Sequence, residues 1–211
     1  QIPILENKFG IRIYAQKSYT EALMWMNGDI DDFTAAPTSQ DLTTILSYNY
    51  SKTGKVKVLG TLASDAKGVK IDRAEFDGSF IGSTSNRFIN IQQRDIIGKS
   101  SIIKNSLSYN QFSNSWQMGS LDLDQIDKVF KFRSDFESIL SGEFKISAGV
   151  EYENRKKEYI GRIPKFDFNI RPDAESSILD AKIIEQRIGT YAEITLNNLL
   201  NISKLHFVGG I

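Results

Sequence analysis

The chain has 211 residues, and its 26 basic residues balance its 26 acidic ones, so no net charge marks it as a nucleic-acid binder. It contains no cysteine, which excludes a disulfide framework, thiolate chemistry and zinc sites of the cysteine type. No apolar run approaches the roughly 18 residues of a membrane-spanning helix, whereas a spanning β-strand needs only about 10 alternating residues. Composition therefore excludes a helical membrane protein and leaves a β-barrel open.

Alternation of apolar and polar residues predicts about eleven strands along the chain. The predicted strands lie near residues 8–20, 41–51, 55–63, 69–80, 86–96, 100–111, 114–124, 127–139, 143–155, 178–197 and 203–210. No helix of useful length competes with them, and Ser18 to Met26 is either a short helix or the end of the first strand. The fold is therefore predicted to be all-β, an antiparallel meander.

The second and third predicted strands are joined by a three-residue loop that ends in glycine, Lys52-Thr53-Gly54. A type I turn closed by a left-handed glycine is the usual three-residue hairpin. Such a loop would place Tyr50 opposite Val56, Tyr48 opposite Val58 and Leu46 opposite Gly60.

A second hairpin of the same kind is predicted around Leu140-Ser141-Gly142. Its even positions are apolar: Phe130, Phe132, Phe136, Phe144, Ile146, Ala148, Val150 and Tyr152. Its odd positions are charged: Lys131, Arg133, Asp135, Glu137, Lys145, Glu151 and Glu153. The loop would place Lys131 opposite Glu151, Glu137 opposite Lys145 and Phe130 opposite Tyr152, each pair contributing roughly 0.2–1 kcal/mol.

The connections are predicted to differ in length between the two ends of the sheet. Short links are expected at one end, at residues 52–54, 81–85, around Ser113, 140–142 and 199–202. Two long loops are expected at the other end, Asn27 to Gln40 and about Asn154 to Ser177. Short turns on one rim and long loops on the other are typical of outer-membrane barrels.

The two faces of the strands predict two environments. If the aromatic face meets lipid, the charged face lines a lumen wide enough to hydrate its side chains, which requires many strands. The predicted lipid-facing residues are Phe130, Phe132, Phe136, Phe144, Ile146, Val150 and Tyr152. The predicted lumen-lining residues are Lys131, Arg133, Asp135, Lys145, Glu151 and Glu153.

Patterns for catalysis or metal binding are weak in this sequence. The sole histidine, His206, lies on a predicted strand and has no Gly-x-Ser-x-Gly elbow to serve. Gly98-Lys99-Ser100 lacks the first glycine and the βα context of a phosphate-binding loop, so a turn is predicted. Glu151 and Glu153 are expected to be ion-paired rather than catalytic.

Two groups of aspartates could bind calcium: Asp29, Asp31 and Asp32, and Asp122, Asp124 and Asp127. The interpretation as solvated loop acids is favoured for both groups. We therefore expect no enzymatic activity, no cofactor and no metal.

Three segments resemble barrel strands of TonB-dependent outer-membrane receptors. They are FKFRSDFESILSGEFKISAGVEYENRKKEYIG (Phe130 to Gly161), DLTTILSYNYSKTGKVKVLG (Asp41 to Gly60) and RIGTYAEITL (Arg187 to Leu196). A fourth, SYTEALMWM (Ser18 to Met26), is similar to a Ser-Tyr segment found early in those barrels. The resemblance implies a 22-stranded barrel around a globular plug, of which about eleven strands are half. Residues 1–211 would then be a transmembrane barrel segment, and the plug domain would not be present in this chain.

The resemblance also implies a function: energy-coupled import of a scarce nutrient, such as a metal chelate, cobalamin, glycan or peptide, across the outer membrane of a Gram-negative bacterium. The implied partners are outer-membrane lipid, the plug domain and an inner-membrane energy-coupling protein, with a surface lipoprotein or larger envelope complex as a further class. Two alternatives stay open. One is a structural or accessory barrel subunit that transports nothing, and the other is a soluble β-barrel that binds a small apolar ligand.

Overall fold

The chain forms one antiparallel sheet in which every strand pairs with its neighbours in sequence, so the meander prediction is confirmed. The computed structural model describes residues 2–5, 8–28, 30–73, 76–141, 144–166, 169–196 and 205–210. The strands are β1 Ile2–Leu5, β2 Phe9–Lys17, β3 Phe33–Asn49, β4 Lys55–Arg73, β5 Phe76–Ile97, β6 Ser101–Met118, β7 Leu121–Ser141, β8 Phe144–Pro164, β9 Ser176–Leu196 and β10 Leu205–Gly210. Between β2 and β3 lie helix α1, Thr20–Asn27, and a 3-10 turn, Ile30–Asp32.

The described residues form ten strands rather than about eleven, and the predicted strands 69–80 and 114–124 each run from the end of one strand into the start of the next. The strands are also longer than predicted, because two expected turns lie inside strands. The predicted link at 81–85 is part of β5 and the one around Ser113 is part of β6. Serine, glycine and asparagine cluster at both places and mimic a turn composition. However, Phe80 and Phe88 flank the first site and Phe112 and Trp116 flank the second, which keeps the two-residue period of a strand unbroken.

The first hairpin is shifted by two residues from the prediction. Tyr48 pairs with Val56 and Leu46 with Val58, so residues 50–54 form a five-residue loop. The Ser51 hydroxyl explains the longer loop, because it accepts hydrogen bonds from the backbone N–H groups of Thr53 and Gly54 at 3.2 and 2.7 Å. These bonds satisfy backbone groups that a tighter turn would have paired across the strands.

The second hairpin is shifted by two residues in the other direction. Lys131 pairs with Glu153, Phe132 with Tyr152 and Ser138 with Ile146, so the predicted three-residue loop and its cross-strand pairs are wrong. β7 continues to Ser141 through a register shift after Ile139, and Gly142 lies outside the described residues. A two-residue shift leaves every side chain on its original face, because side chains alternate with a period of two.

The predicted separation of loop lengths is also wrong in part. We call the end with residues 50–54 and 98–100 the near rim and the opposite end the far rim. The connections 18–32 and 165–175 are at the far rim, but β4 and β5, and likewise β6 and β7, are separated there by only two residues of sequence. The expected loop at 27–40 is shorter because β3 begins at Phe33, and the one at 154–177 is shorter because β8 continues to Pro164.

The described sheet has no conventional core. The chain exposes 14715 Å² of surface, whereas a compact monomer of 23.8 kDa exposes about 9,900 Å². Only Phe76 and Val129 are buried among the described hydrophobic residues. β1 pairs only with β2 and β10 only with β9 within the described chain. No helix in the described residues is long and apolar enough to cross a membrane. Both faces of the sheet therefore depend on what surrounds them.

The register of the second hairpin predicts which cysteine pair can form a disulfide. Ser138→Cys with Ile146→Cys places two directly opposite residues within bonding range and should oxidise readily. Ser138→Cys with Phe144→Cys, the pair favoured by the three-residue loop, lies on a diagonal of about 7–8 Å and should stay reduced. Thiol titration after mild oxidation distinguishes the two, and the reverse result would restore the three-residue loop.

Candidate functional site

One residue from each of eight strands forms a continuous apolar row across the sheet. The row follows directly from the cross-strand pairs and consists of Ile11, Leu46, Val58, Ile91, Leu107, Phe132, Tyr152 and Ile188. We call the side that carries it the apolar face and the opposite side the charged face. The predicted apolar residues of the second hairpin all belong to the apolar face, and the predicted charged ones to the charged face.

The apolar face is bounded toward the far rim by a line of polar residues. On each strand one apolar residue comes last before the first polar residue. From β2 to β9 these pairs, apolar residue first, are Ala15/Lys17, Leu42/Gln40, Leu62/Ser64, Ile89/Arg87, Tyr109/Gln111, Phe130/Lys128, Tyr152/Asn154 and Ile188/Gln186. The line moves by four residues, always toward the near rim, over seven strand-to-strand steps. At about 3.3 Å per residue and about 4.8 Å between strands, this line runs roughly 20° away from the perpendicular to the strands.

The apolar band has the height of a bilayer core. On β8 it extends from Phe144 to Tyr152, close to the 9–11 residues with which a tilted strand crosses a membrane. Aromatic residues mark its far edge, where Tyr109, Phe130 and Tyr152 each precede a polar residue. The rings of Phe130 and Tyr152 meet edge to face with centroids 6.4 Å apart, diagonally rather than directly opposite.

A short polar row interrupts the apolar band, and its members satisfy one another. Ser134 donates a hydrogen bond of 2.7 Å to Asn105, and the Asn105 amide donates one of 2.6 Å to Gln93. Gln93 in turn donates to the Tyr50 hydroxyl, which donates to Asp95. Because these polar groups form hydrogen bonds with one another, the free-energy cost of placing them in an apolar environment is lower.

Beyond the far edge of the band, the two faces exchange character. The apolar face becomes ionic there, with Lys128 Nζ 3.5 Å from Glu158 and Arg162 Nη2 3.5 Å from Asp122. The charged face becomes apolar and carries Phe76, Phe80, Trp116, Met118, Leu121 and Leu123, which we call the far cluster. Sequence analysis missed this reversal, although the signal was present: within β7 the even positions change from phenylalanines to Lys128, Asp124 and Asp122.

The loop of residues 165–175 lies against the far cluster. The backbone carbonyl of Ile170 accepts a hydrogen bond of 3.1 Å from the Ser120 N–H. A side chain at Gly119 would collide with the same carbonyl and with the ring of Phe76, which is 5% exposed. Lys165 closes the base of the loop 2.8 Å from Glu175 and lowers the pKa of the Glu175 carboxyl. The loop is therefore fastened to the sheet at both its base and its tip.

A groove of about 550 Å³ lies beside the far cluster on the charged face. Its walls combine aromatic, charged and hydroxyl side chains: Thr20, Asp65, Lys67, Phe80, Thr84 and Trp116. Thr20, at the start of α1, holds the helix to β3 through a hydrogen bond from its hydroxyl to the Pro37 carbonyl. The groove has both apolar surface and hydrogen-bonding groups, which is the usual character of a small-molecule site.

Ion pairs cover the charged face at the level of the apolar band. Glu153, 7% exposed, lies 2.5 Å from Lys131 and 3.5 Å from Arg155. Arg133 lies 2.9 Å from Asp135 and 3.5 Å from Glu151. Lys145 reaches Glu137 at 3.1 Å from a diagonal position. Tyr191 adds a hydrogen bond of 2.7 Å to Asp135, and the Arg133 guanidinium lies 5.8 Å from the Tyr191 ring. The six predicted lumen residues therefore all form ion pairs on the charged face, in three neighbouring groups.

The remaining sequence motifs gather no catalytic or metal-binding group. Gly98-Lys99-Ser100 is the turn between β5 and β6, as predicted. Asp122 and Asp127 face arginines, at 3.5 Å from Arg162 and 3.9 Å from Arg155. Among the described residues no three acidic or histidine side chains come together as a cation site would require. Asp29 lies outside the described residues, and His206 is in β10, paired with Thr195 through the backbone.

Comparison with known proteins shows a likeness of fold alone. No protein-family model and no curated protein sequence matches the chain. Solved structures that match include the crystal structure of the ferric yersiniabactin uptake receptor FyuA from Yersinia pestis, with a TM-score of 0.52 and 8% sequence identity. The match covers 78% of this chain and 26% of the receptor, so the chain spans about a quarter of that protein's length. The antiparallel meander is thus consistent with part of an outer-membrane β-barrel.

Proposed function

We propose that the chain is part of the barrel wall of a TonB-dependent outer-membrane receptor, with its apolar face in lipid and its charged face toward a water-filled lumen. The observation that carries the proposal is the apolar band, which is continuous over eight strands and has the height of a bilayer core. Its polar border crosses the strands obliquely. Tilted strands with an aromatic-edged outer band and a polar interior are the defining features of transmembrane barrels.

The reversal of face character supports this placement. Outside a bilayer the outer surface of a barrel meets water, which suits the ion pairs of Lys128 with Glu158 and of Arg162 with Asp122. The far rim would then lie in the aqueous phase, and its loops would be the first part of the protein that a solute meets. The groove beside Phe80 and Trp116 opens at this level and is our candidate for contact with the transported solute.

Nutrient import is the activity that we propose for the whole receptor. The likeness to a ferric yersiniabactin uptake receptor and the resemblance of Phe130 to Gly161 to receptor strands both favour it. A metal chelate, a glycan or a peptide would all suit the mixed apolar and hydrogen-bonding groove. The plug domain and the inner-membrane energy-coupling protein would be its partners in the Gram-negative envelope.

An accessory barrel subunit without transport is the second candidate. The observation in its favour is that Lys131, Arg133 and Lys145 are all neutralised by acids of the same sheet, which leaves few free charges on that part of the wall to guide a solute. A plug or a partner protein would then pack on a barrel wall that does not itself guide a solute. The two candidates share the lipid-facing assignment and differ only in what fills the lumen.

Extraction and intact mass of the native protein test the proposal. We expect recovery from membranes only with detergent, because the apolar band must be covered, and a mass several times that of 211 residues. A detergent-extracted protein of matching mass would favour the accessory barrel. Recovery without detergent would overturn the membrane assignment and favour a soluble barrel.

Two glycine substitutions test which face meets lipid. A Cβ at Gly60 or at Gly189 contacts nothing within 4 Å, so a side chain can start at both positions without a clash at its first carbon. Gly60 lies inside the apolar band between Val58 and Leu62, and Gly60→Arg should cost about 2–4 kcal/mol in a bilayer. Gly189 lies on the charged face opposite Glu151, and Gly189→Arg should change the free energy of unfolding by less than about 0.5 kcal/mol. Denaturant unfolding in lipid vesicles measures both, and equal costs would refute the assignment.

A further inference from the structure

Helix α1 exposes its apolar side instead of burying it. At about 100° per residue, its exposed apolar side chains share an arc of roughly 160°. They are Ala22, Leu23, Trp25 and Met26. Leu23, Trp25 and Met26 are 61%, 74% and 73% exposed. A helix of a globular protein normally packs such an arc on the core, so the apolar arc of α1 needs a cover that the described sheet does not supply.

The opposite side of α1 attaches the helix to the sheet. The Thr20 hydroxyl donates a hydrogen bond to the Pro37 carbonyl of β3. Just before the helix, the Ser18 N–H donates to the Ser39 carbonyl and the Ser39 N–H donates to the Ser18 hydroxyl, both at 2.7 Å. Gly28, with a φ of 79°, ends the helix, and its N–H donates to the Trp25 carbonyl at 3.3 Å. These bonds hold α1 with its apolar arc turned away from the sheet.

The apolar arc adjoins the apolar face at the level where the apolar band ends. Lys17, which precedes the helix by three residues, is the first polar residue beyond the band on β2, and Thr38 lies on the same face of β3. A groove of about 490 Å³ is lined by these two side chains and by Ala22 and Trp25 of α1. Trp25 therefore lies beside the polar border of the band.

The charge at this border selects the kind of surface that can cover α1. Lys17 forms no ion pair within the described residues, and its Nζ lies 5.8 Å from the ring of Tyr19, which is 74% exposed. The next border residues, Gln40 and Ser64, are uncharged. A lipid surface at the end of an apolar band supplies phosphates for a cation and an apolar boundary for aromatic rings at one level. A protein surface would have to bring both to the same place.

We propose that α1 lies in the headgroup layer of the membrane at the far rim, with Leu23, Trp25 and Met26 at the boundary of the acyl chains and Lys17 at the lipid phosphates. This placement rests on the proposed function, because the apolar band defines where the bilayer ends. Lipid thereby covers the apolar arc of the helix. The two connections of the far rim then differ, since the loop of residues 165–175 is fastened to the far cluster and α1 is fastened to the membrane.

Tryptophan quenching by brominated lipid tests the position of α1, because bromine quenches only rings that it contacts. The native protein is placed in vesicles of phosphatidylcholine brominated near the headgroup end of the acyl chain. Subtracting the emission of Trp25→Phe from that of the native protein isolates Trp25, and Trp116→Phe isolates Trp116 of the far cluster in the same way. The Trp25 emission should fall at least about twofold, whereas the Trp116 emission should change little because that ring lies on the charged face.

A tryptophan inside the apolar band separates the two ways in which this experiment can fail. Phe132→Trp places a ring in the middle of the band, and lipid brominated deeper in the acyl chain should quench it. If Phe132→Trp is quenched and Trp25 is quenched by neither lipid, the placement of α1 is overturned while the proposed function stands. If Phe132→Trp is not quenched, the proposed function is overturned as well.

Matched lysine variants test the contact of Lys17 with phosphates. In mixed vesicles in which only the anionic phosphatidylglycerol is brominated, Lys17→Gln should reduce the quenching of Trp25 roughly twofold, because it removes the cation next to the helix. Lys99→Gln changes an exposed lysine in the turn at the near rim and should leave the quenching unchanged. Equal effects of the two variants would overturn the assignment of Lys17 to lipid phosphates.

Discussion

The register of the strands is the constraint on which the whole structure depends. Because side chains alternate, a slip of one residue in any pair would send that strand's phenylalanines and isoleucines to the charged face. The pairing from β2 to β9 avoids this at every step and places Ile11, Phe132 and Ile188 in the same row. The apolar band, the ionic surface behind it and the reversal at the far rim are all consequences of this one alignment.

The burial pattern reverses that of an ordinary soluble domain. A globular sheet packs its apolar face on a core, but here Phe130, Phe132 and Phe136 are 38%, 37% and 40% exposed, while Glu153 is 7% exposed. The Glu153 carboxylate is therefore better covered by the chain's own atoms than these three aromatic rings are, although its partner Lys131 keeps 45% of its side chain exposed. Burying Glu153 costs little because Lys131 and Arg155 both contact it. The exposed aromatic band is a surface that lipid would cover under the proposed function.

The all-β fold and the alternation of the two faces in the second hairpin could be predicted from the sequence, because both depend on a period of two that local alternation reveals. The register could not be predicted, because two registers satisfy the charges equally well. Lys131 can pair with Glu151 or with Glu153, and both glutamates lie on the same face. The choice depends on loop contacts such as those of the Ser51 hydroxyl, which alternation does not encode. The serine-rich interiors of β5 and β6 could not be recognised as strand for a similar reason. Their composition is typical of a turn, whereas the aromatic residues on either side keep the alternation of a strand. The far cluster becomes visible only when residues from β5, β6 and β7 are placed side by side.

The most direct test of the account is the environment of successive side chains along β6. These 211 residues contain no cysteine, so single cysteines for nitroxide labels can be introduced at residues 103 to 110 without a competing thiol in this part of the protein, and the labelled protein can be studied in bilayers. Collision with oxygen, which partitions into lipid, should peak at the odd positions around Leu107 and Tyr109. Collision with a water-soluble nickel chelate should peak at the even positions around Ser106 and Ser108. Two profiles with the same phase, or nickel access to both sets alike, would contradict the placement of the apolar face in the membrane.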